Sequence, residues 1–111
     1  LRGDVLGLLD VLKIDKVTLV GHDWGGLIGW QLAALAKGYP KVRVPVMGIW
    51  SDGDPALGEK QMRDSARYVD AEFRFERIHD ADHWLQLTAH EQVNRLLLDF
   101  IGGDSHSAAA A

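Results

Sequence analysis

The sequence predicts an α/β protein in which a parallel sheet is covered by helices on both faces, giving three layers. Two observations predict this class. Helical and extended patterns alternate along the 111 residues, and strands separated by helices form parallel sheets through right-handed crossovers. The mostly apolar run VTLV at residues 17–20 also lacks a polar face, as expected of a strand that is buried on both sides.

The helices are predicted from the spacing of apolar residues. In the first predicted helix, at residues 4–13, apolar side chains recur at positions i, i+3, i+4 and i+7 of one face. The other predicted helices span residues 24–37, 56–69 and 88–101. Thr88 and Glu91 have the spacing of a capping box at the start of the last helix. Gly102 and Gly103 are expected to end it.

Two further strands are predicted at residues 44–50 and 73–78. Pro45 lacks an N–H group, so it is tolerated only near the start of its strand or at an edge. In the later strand, Phe73 and Phe75 alternate with charged residues, which predicts one solvent-exposed face.

Composition narrows the classes of partner. The net charge of −4 and the pI near 5.6 argue against a nucleic acid or an anionic membrane. No apolar run is long enough to cross a membrane, and the start lacks a secretory signal pattern. The absence of cysteine fits a reducing compartment, so we expect a cytoplasmic protein. The start at Leu1 and the final Ser/Ala-rich stretch predict ends that are truncated or engineered.

Acidic residues and a histidine follow the predicted strands, at the sheet edge where α/β proteins gather functional groups. Asp23 follows the first strand, Asp52 and Asp54 follow the second, and His83 follows the third. An acid, a second acid and a histidine in this chain order match the nucleophile, acid and histidine of α/β-hydrolases.

The motif GHDWGG at residues 21–26 is typical of a nucleophile elbow, a sharp turn between strand and helix. Such a turn requires small residues two positions either side of the nucleophile, and Gly21 and Gly25 flank Asp23 in this way. The turn presents Asp23 at the helix N-terminus, where N–H groups favour an anion. The Trp24 N–H is then expected to contribute to an oxyanion hole. The alternative is a glycine-rich turn in which Asp23 only caps the helix.

GHDWGG, together with GIWSDGDPAL at residues 48–57 and HDADHWLQL at 79–87, resembles the α/β-hydrolase-fold epoxide hydrolases, which are relatives of the haloalkane dehalogenases. The resemblance implies that residues 1–103 are the C-terminal part of an α/β-hydrolase fold. Residues 104–111 are expected to form a disordered tail. The implied site comprises the nucleophile Asp23, the acid Asp54, the histidine His83, and His22 and Trp84 in the substrate pocket.

The resemblance also implies a reaction, the opening of an epoxide to a vicinal diol. Asp23 forms an ester with the substrate, and a water activated by His83 and Asp54 hydrolyses that ester. No cofactor and no metal are required. Longer family members carry a cap domain with two acid tyrosines and an upstream H-G-x-P segment, which are missing from this sequence. The alternatives are a catalytically silent truncated or engineered fragment, and a haloalkane dehalogenase.

Several residue assignments have competing interpretations. Asp52 competes with Asp54 as the partner of His83, and Asp54 has a simpler interpretation as a turn residue before Pro55. His83 has a simpler interpretation as a surface histidine. His79 and His83 lie four residues apart, which is a metal-ligand spacing on a helix, but the segment is predicted to be a loop.

Two expectations concern the surroundings of the site. Asp82 stands where the resembling enzymes have glycine before the histidine, and aspartate tolerates a positive φ better than most residues. Uncovered sheet edges and apolar surface predict self-association into a homo-oligomer. The expected ligand is a small-molecule epoxide.

Overall fold

The computed structural model describes residues 2–26, 29–30 and 41–110. Most of the predicted helix at 24–37 lies outside the described residues, and its described parts, 24–26 and 29–30, are helical. The chain divides into two compact units, Leu1–Arg43 and Val44–Ala111.

The first unit begins with helix α1, Arg2–Val11, which confirms the predicted helix two residues earlier at each end. The helix ends in a Schellman motif. The N–H of Ile14 donates to the carbonyl of Leu9 at 3.0 Å, and the N–H of Lys13 donates to that of Asp10 at 3.1 Å. Lys13 has the left-handed φ of 56° that this motif requires. The chain therefore reverses at a lysine, where glycine is the usual residue.

The predicted strand at residues 17–20 is wrong for the described part of the chain. These residues are not in a strand, and the side chains of Val17, Leu19 and Val20 are exposed. An extended segment is stable only when a neighbouring strand takes up its hydrogen bonds. The apolar pattern indicates that these residues favour a buried sheet. Whether they form a strand depends on the presence of a partner strand.

The second unit contains a parallel sheet of two strands, β1 (Val46–Ser51) and β2 (Phe73–Ile78). Both strands were predicted, but β1 begins after Pro45, which has no N–H to donate to a ladder. Val46 then makes the first bond, from its N–H to the carbonyl of Glu72 at 3.0 Å. The α/β class and the parallel pairing are confirmed, with two strands rather than three in the described residues.

The crossover between the strands contains helix α2, Glu59–Asp64, and a 3₁₀ turn, Ser65–Tyr68. The predicted helix at 56–69 therefore starts three residues late and tightens in its last turn. Met62 packs against β1 at Gly48, where an added Cβ would lie 2.6 Å from the Met62 sulfur. This contact holds the crossover against the sheet.

Two helices follow β2, namely α3 (Leu85–Thr88) and α4 (His90–Ala110). The predicted capping box is wrong, because Thr88 lies in α3 and its hydroxyl donates to Asp82 Oδ1 at 3.1 Å. Helix α4 continues past Gly102 and Gly103 and includes residues 104–110, where the sequence predicts a tail. A helical glycine costs only about 1 kcal/mol relative to alanine, and the alanines beyond favour the helix.

The core of the second unit lies between β2 and α4. Its buried members are Ile78 at the end of β2, Ala81 in the following loop and Val93 in α4. Half-buried side chains of β1, of α3 and α4, and of the residue between these two helices pack against them: Ile49, Leu85, Ala89, Leu96 and Leu97. Because Ala81 belongs to this core, its packing fixes the position of the loop after β2. Across the described residues no helix is long and apolar enough to cross a membrane.

Candidate active site

The chain turns sharply at Asp23, and a helix begins at the next residue. Asp23 adopts a φ of 53°, a left-handed conformation that is strained for a residue with a side chain. An added Cβ on Gly21 would lie 2.6 Å from the carbonyl carbon of Gly25 and 2.7 Å from the N of Gly26. The backbone on either side of Asp23 therefore approaches too closely for any residue except glycine at position 21.

The carboxylate of Asp23 lies at the start of the following helix. Its Oδ2 accepts a 2.8 Å hydrogen bond from the Trp24 N–H, and the His22 carbonyl accepts one of 2.9 Å from the Gly25 N–H. One N–H at the helix start thus binds the Asp23 side chain. The N–H predicted for the oxyanion hole binds the Asp23 carboxylate in this structure. The Trp24 side chain is exposed and that of His22 is half-buried.

Asp54 is held by the turn that follows β1. Its Oδ1 accepts hydrogen bonds from the N–H groups of Ala56 at 2.7 Å and Leu57 at 3.1 Å. The Leu57 carbonyl in turn accepts a 2.8 Å bond from Trp50 Nε1 at the end of β1. Asp54 is therefore a turn residue, and its second carboxylate oxygen is directed elsewhere.

That second oxygen, Oδ2, lies 2.9 Å from Nδ1 of His83. The Asp54 side chain is 5% exposed and that of His83 is 18% exposed. Because the carboxylate can only accept, the ring nitrogen must carry the hydrogen, and in the neutral ring Nε2 is then the basic atom. Asp54 therefore fixes the tautomer that a general base needs.

The environment keeps Asp54 ionised. Burial by itself raises the pKa of Asp54, but the hydrogen bond from His83 and those from the Ala56 and Leu57 amides outweigh it. The pKa of Asp54 is consequently lowered from its ordinary value. A buried carboxylate that stays charged beside a histidine stabilises the imidazolium form as well as orienting the ring.

The competing partner, Asp52, forms a different pair. Its Oδ2 lies 2.6 Å from Nδ1 of His79, and its Oδ1 accepts a 2.9 Å bond from the Asp80 N–H. The hydrogen bond from His79, with that from the Asp80 amide, lowers the pKa of Asp52. The structure thus pairs His83 with Asp54 and His79 with Asp52. Among the described residues no group of three His, Cys, Asp or Glu side chains could hold a metal ion.

The sequence did not predict the contacts that join the turn after β1 to the loop after β2. The Ser51 hydroxyl is fully buried and donates to the Ala81 carbonyl. A Cβ on Gly53 would overlap the same carbonyl oxygen, so glycine is required there. The available signal was the register, since Ser51 pairs with Ile78 and the turns after parallel neighbours meet.

Asp82 does not adopt the positive φ considered for it. In the loop after β2 that conformation belongs to Asp80, with a φ of 58°. Asp82 Oδ1 instead accepts bonds from the Trp84 N–H at 2.8 Å and from the Thr88 hydroxyl at 3.1 Å. Trp84 stacks edge-on against His83, with ring centroids 5.6 Å apart. Asp82 therefore holds the turn that places Trp84 beside the histidine.

The predicted site residues fall in both units. His22, Asp23 and Trp24 lie in the Leu1–Arg43 unit, whereas the Val44–Ala111 unit brings Asp54, His83 and Trp84 together.

Comparisons with known proteins support the predicted resemblance. Residues 1–43 match the family model for the alpha/beta hydrolase fold. The chain is 40% identical to an epoxide hydrolase of Caballeronia sordidicola over 85 residues, which cover 72% of this chain and 24% of the relative. It is 64% identical to epoxide hydrolase 3 of Siraitia grosvenorii over 55 residues, which cover 50% of this chain and 17% of the relative.

A third relative is epoxide hydrolase B of Mycobacterium tuberculosis, 37% identical over 71 residues, or 58% of this chain and 20% of the relative. The matches thus span about a quarter or less of these relatives' own length. No solved structure matches the chain. The resemblance to epoxide hydrolases of the α/β-hydrolase fold is confirmed.

Proposed function

We propose that this chain, which is similar to α/β-hydrolase-fold epoxide hydrolases, carries the nucleophile and the acid–histidine pair of an enzyme that opens epoxides to vicinal diols. The observation that carries the proposal is the Asp54–His83 hydrogen bond, which sets His83 to act as a base through Nε2. The strained Asp23 in the elbow turn supports the role of nucleophile. We also propose that the chain adopts the three-layer arrangement of this fold, in which helices cover both faces of a parallel sheet.

In the first step, a carboxylate oxygen of Asp23 attacks an epoxide carbon and forms an ester while the carbon–oxygen bond of the ring breaks. The ring oxygen takes a proton from an acid donor, a part played in the resembling enzymes by two tyrosines of the cap. An ionised carboxylate needs no base to activate it, so His83 is not required at this stage.

In the second step, His83 Nε2 takes a proton from water, and the hydroxide attacks the ester carbonyl. The Trp24 N–H stabilises the oxyanion that forms. Collapse breaks the ester bond, the diol oxygen takes the proton from His83, and the Asp23 carboxyl releases a proton to solvent, from which the acid donor of the first step regains its own. The substrate gains one water overall, and the chemistry requires no cofactor.

The proposal is tested by incubating the full chain with styrene oxide in heavy-oxygen water under single-turnover conditions. We expect diol formation and heavy oxygen in the Asp23 carboxylate, because the attacking water oxygen remains on the enzyme. Asp23→Ala should lower the rate by about 10⁴-fold or more.

The matched control is Asp64→Ala, an exposed carboxylate on α2 that pairs with Lys60 and Arg67. A folded chain that yields no diol and no ester contradicts the epoxide hydrolase function. Equal diol formation by the Asp23→Ala variant contradicts the nucleophile assignment. Halide release from a haloalkane, without diol formation, would point to the dehalogenase alternative.

A further inference from the structure

A second Asp–His pair lies beside the proposed acid–histidine pair. The two pairs have a common plan, since Asp52 and Asp54 follow β1 and His79 and His83 follow β2. They differ in exposure. The outer pair is 38% exposed at Asp52 and 67% at His79, whereas the inner pair is largely buried. The outer pair is therefore too open to resemble a second buried catalytic pair.

Both carboxylate oxygens of Asp52 bind the loop after β2. Oδ2 binds the His79 ring, and Oδ1 binds the N–H of Asp80. Asp80 is the loop residue with a φ of 58°, a conformation that a residue with a side chain adopts only when its surroundings hold it there. Asp52 thus binds the loop at its strained residue.

The next residue, Ala81, fixes the middle of the loop. It is buried in the core, and its carbonyl accepts the Ser51 hydroxyl and lies against Gly53. The residues between β2 and His83 are therefore fixed to the turn after β1 at 79, 80 and 81. His83 lies two residues beyond Ala81, so the direction of its ring depends on the backbone at these positions.

We propose that Asp52 is a positioning residue that holds the His79–Asp80 backbone in the conformation that brings His83 to Asp54. The inference concerns the same site and rests on the proposed function for its catalytic consequence. An exposed ion pair alone contributes little to stability. Asp52 differs because its Oδ1 accepts a hydrogen bond from the backbone N–H of Asp80. This bond holds the backbone geometry of the loop rather than balancing a charge.

The test compares Asp52→Ala with Asp52→Asn. Asparagine keeps an oxygen acceptor for the Asp80 N–H, and its side-chain amide can donate to the His79 ring when Nδ1 is unprotonated. Asp64→Ala is the matched control, because Asp64 is 37% exposed and pairs with Lys60 and Arg67.

The first readout is structural and needs no turnover. In Asp52→Ala we expect the Asp80 amide to lose protection from hydrogen exchange and the His83 Nδ1–H proton resonance to shift or broaden. In Asp52→Asn and Asp64→Ala both signals should stay close to those of the parent chain. A His83 resonance unchanged in Asp52→Ala would overturn the proposal.

The second readout is the rate of ester hydrolysis. Displacing a base by about 1 Å costs about 10²-fold, so kcat should fall by up to that factor in Asp52→Ala, with ester formation unchanged. Equal loss in the alanine and asparagine variants would show that charge, not position, is what matters, and would overturn the proposal. If no variant forms a diol but the His83 resonance behaves as expected, the proposed function fails while the positioning role stands.

A second substitution keeps the test decisive if Asp52→Ala does not fold. Glycine adopts a positive φ without strain, so Asp80→Gly should reduce the need for Asp52. We expect the double variant Asp52→Ala/Asp80→Gly to recover most of the His83 signal. Failure of the double variant to recover it, in a folded chain, would contradict a role acting through Asp80.

Discussion

The Leu1–Arg43 and Val44–Ala111 units prepare their candidate residues in opposite ways. In the first unit, backbone geometry positions the candidate residue, because the backbone of Gly21 lies close to that of Gly25 and Asp23 has a φ of 53°. In the second unit, side-chain hydrogen bonds position the candidate residues, because two backbone amides donate to Asp54 and Asp54 in turn binds the His83 ring. The proposed nucleophile, Asp23, is exposed, whereas the side chain of the proposed acid, Asp54, is buried.

This difference fits the chemistry that we propose for each group. A carboxylate nucleophile needs only to be presented, and a strained turn presents it without covering it. A general base needs a defined tautomer and ring direction, which only a hydrogen-bonded partner supplies. Substitutions in the two units should therefore fail in different ways.

The largest expected effect separates the two chemical steps. His83→Gln removes the base but leaves Asp23 and its turn intact, so ester formation should continue while hydrolysis falls by about 10³-fold. Mass spectrometry after a single turnover with styrene oxide should find the ester on Asp23. Asp23→Ala serves as the control, since it should form no ester. Loss of ester formation in His83→Gln would mean that the histidine acts in the first step.

A smaller effect compares glycines on stability. Gly53→Ala would place a Cβ against the Ala81 carbonyl, so we expect a loss of about 1–3 kcal/mol in the free energy of unfolding. Gly103→Ala is the matched control, because no atom beyond its chain neighbours and the backbone of its own helix lies within 4 Å of its added Cβ. That helical substitution should stabilise by about 0.5–1 kcal/mol.

Urea unfolding of the full chain measures both glycine substitutions. If Gly53→Ala leaves stability unchanged, the two turns do not meet as closely as the structure has them.

Gly21→Ala should disrupt the turn at Asp23 and reduce ester formation without altering the His83 resonance.

The smallest expected effect is on pH dependence. The pKa of Asp54 is lowered in the folded chain, so its contribution to stability is full above the unfolded value, near 3.9. It is lost as the pH falls through the lower native value. Acid titration followed by the His83 resonance should show this loss, and Asp54→Asn should remove it. A titration that is identical in Asp54→Asn would contradict the contribution of the pair.

The sequence was informative where a local rule applies. The elbow motif needs only close neighbours in the chain, so Gly21 and Asp23 could be recognised from their spacing. Strand β1 could be predicted from an apolar run, and β2 from the alternation of Phe73 and Phe75 with charged residues. Asp54 and His83 could be recognised as candidates because each follows one of these strands. The strand at residues 17–20 could not be decided in this way, because strand formation depends on a partner.

By itself, the sequence determined the α/β class, the resemblance to epoxide hydrolases, and the candidate residues Asp23, Asp54 and His83. Only the tertiary structure decided which acid meets which histidine. Asp52 and Asp54 are two residues apart, and local sequence rules do not distinguish them as partners for His83. The parallel register and the contacts of Ala81 with Ser51 and Gly53 set the separation of the two turns. That separation pairs Asp54 with His83 and leaves Asp52 to hold the loop.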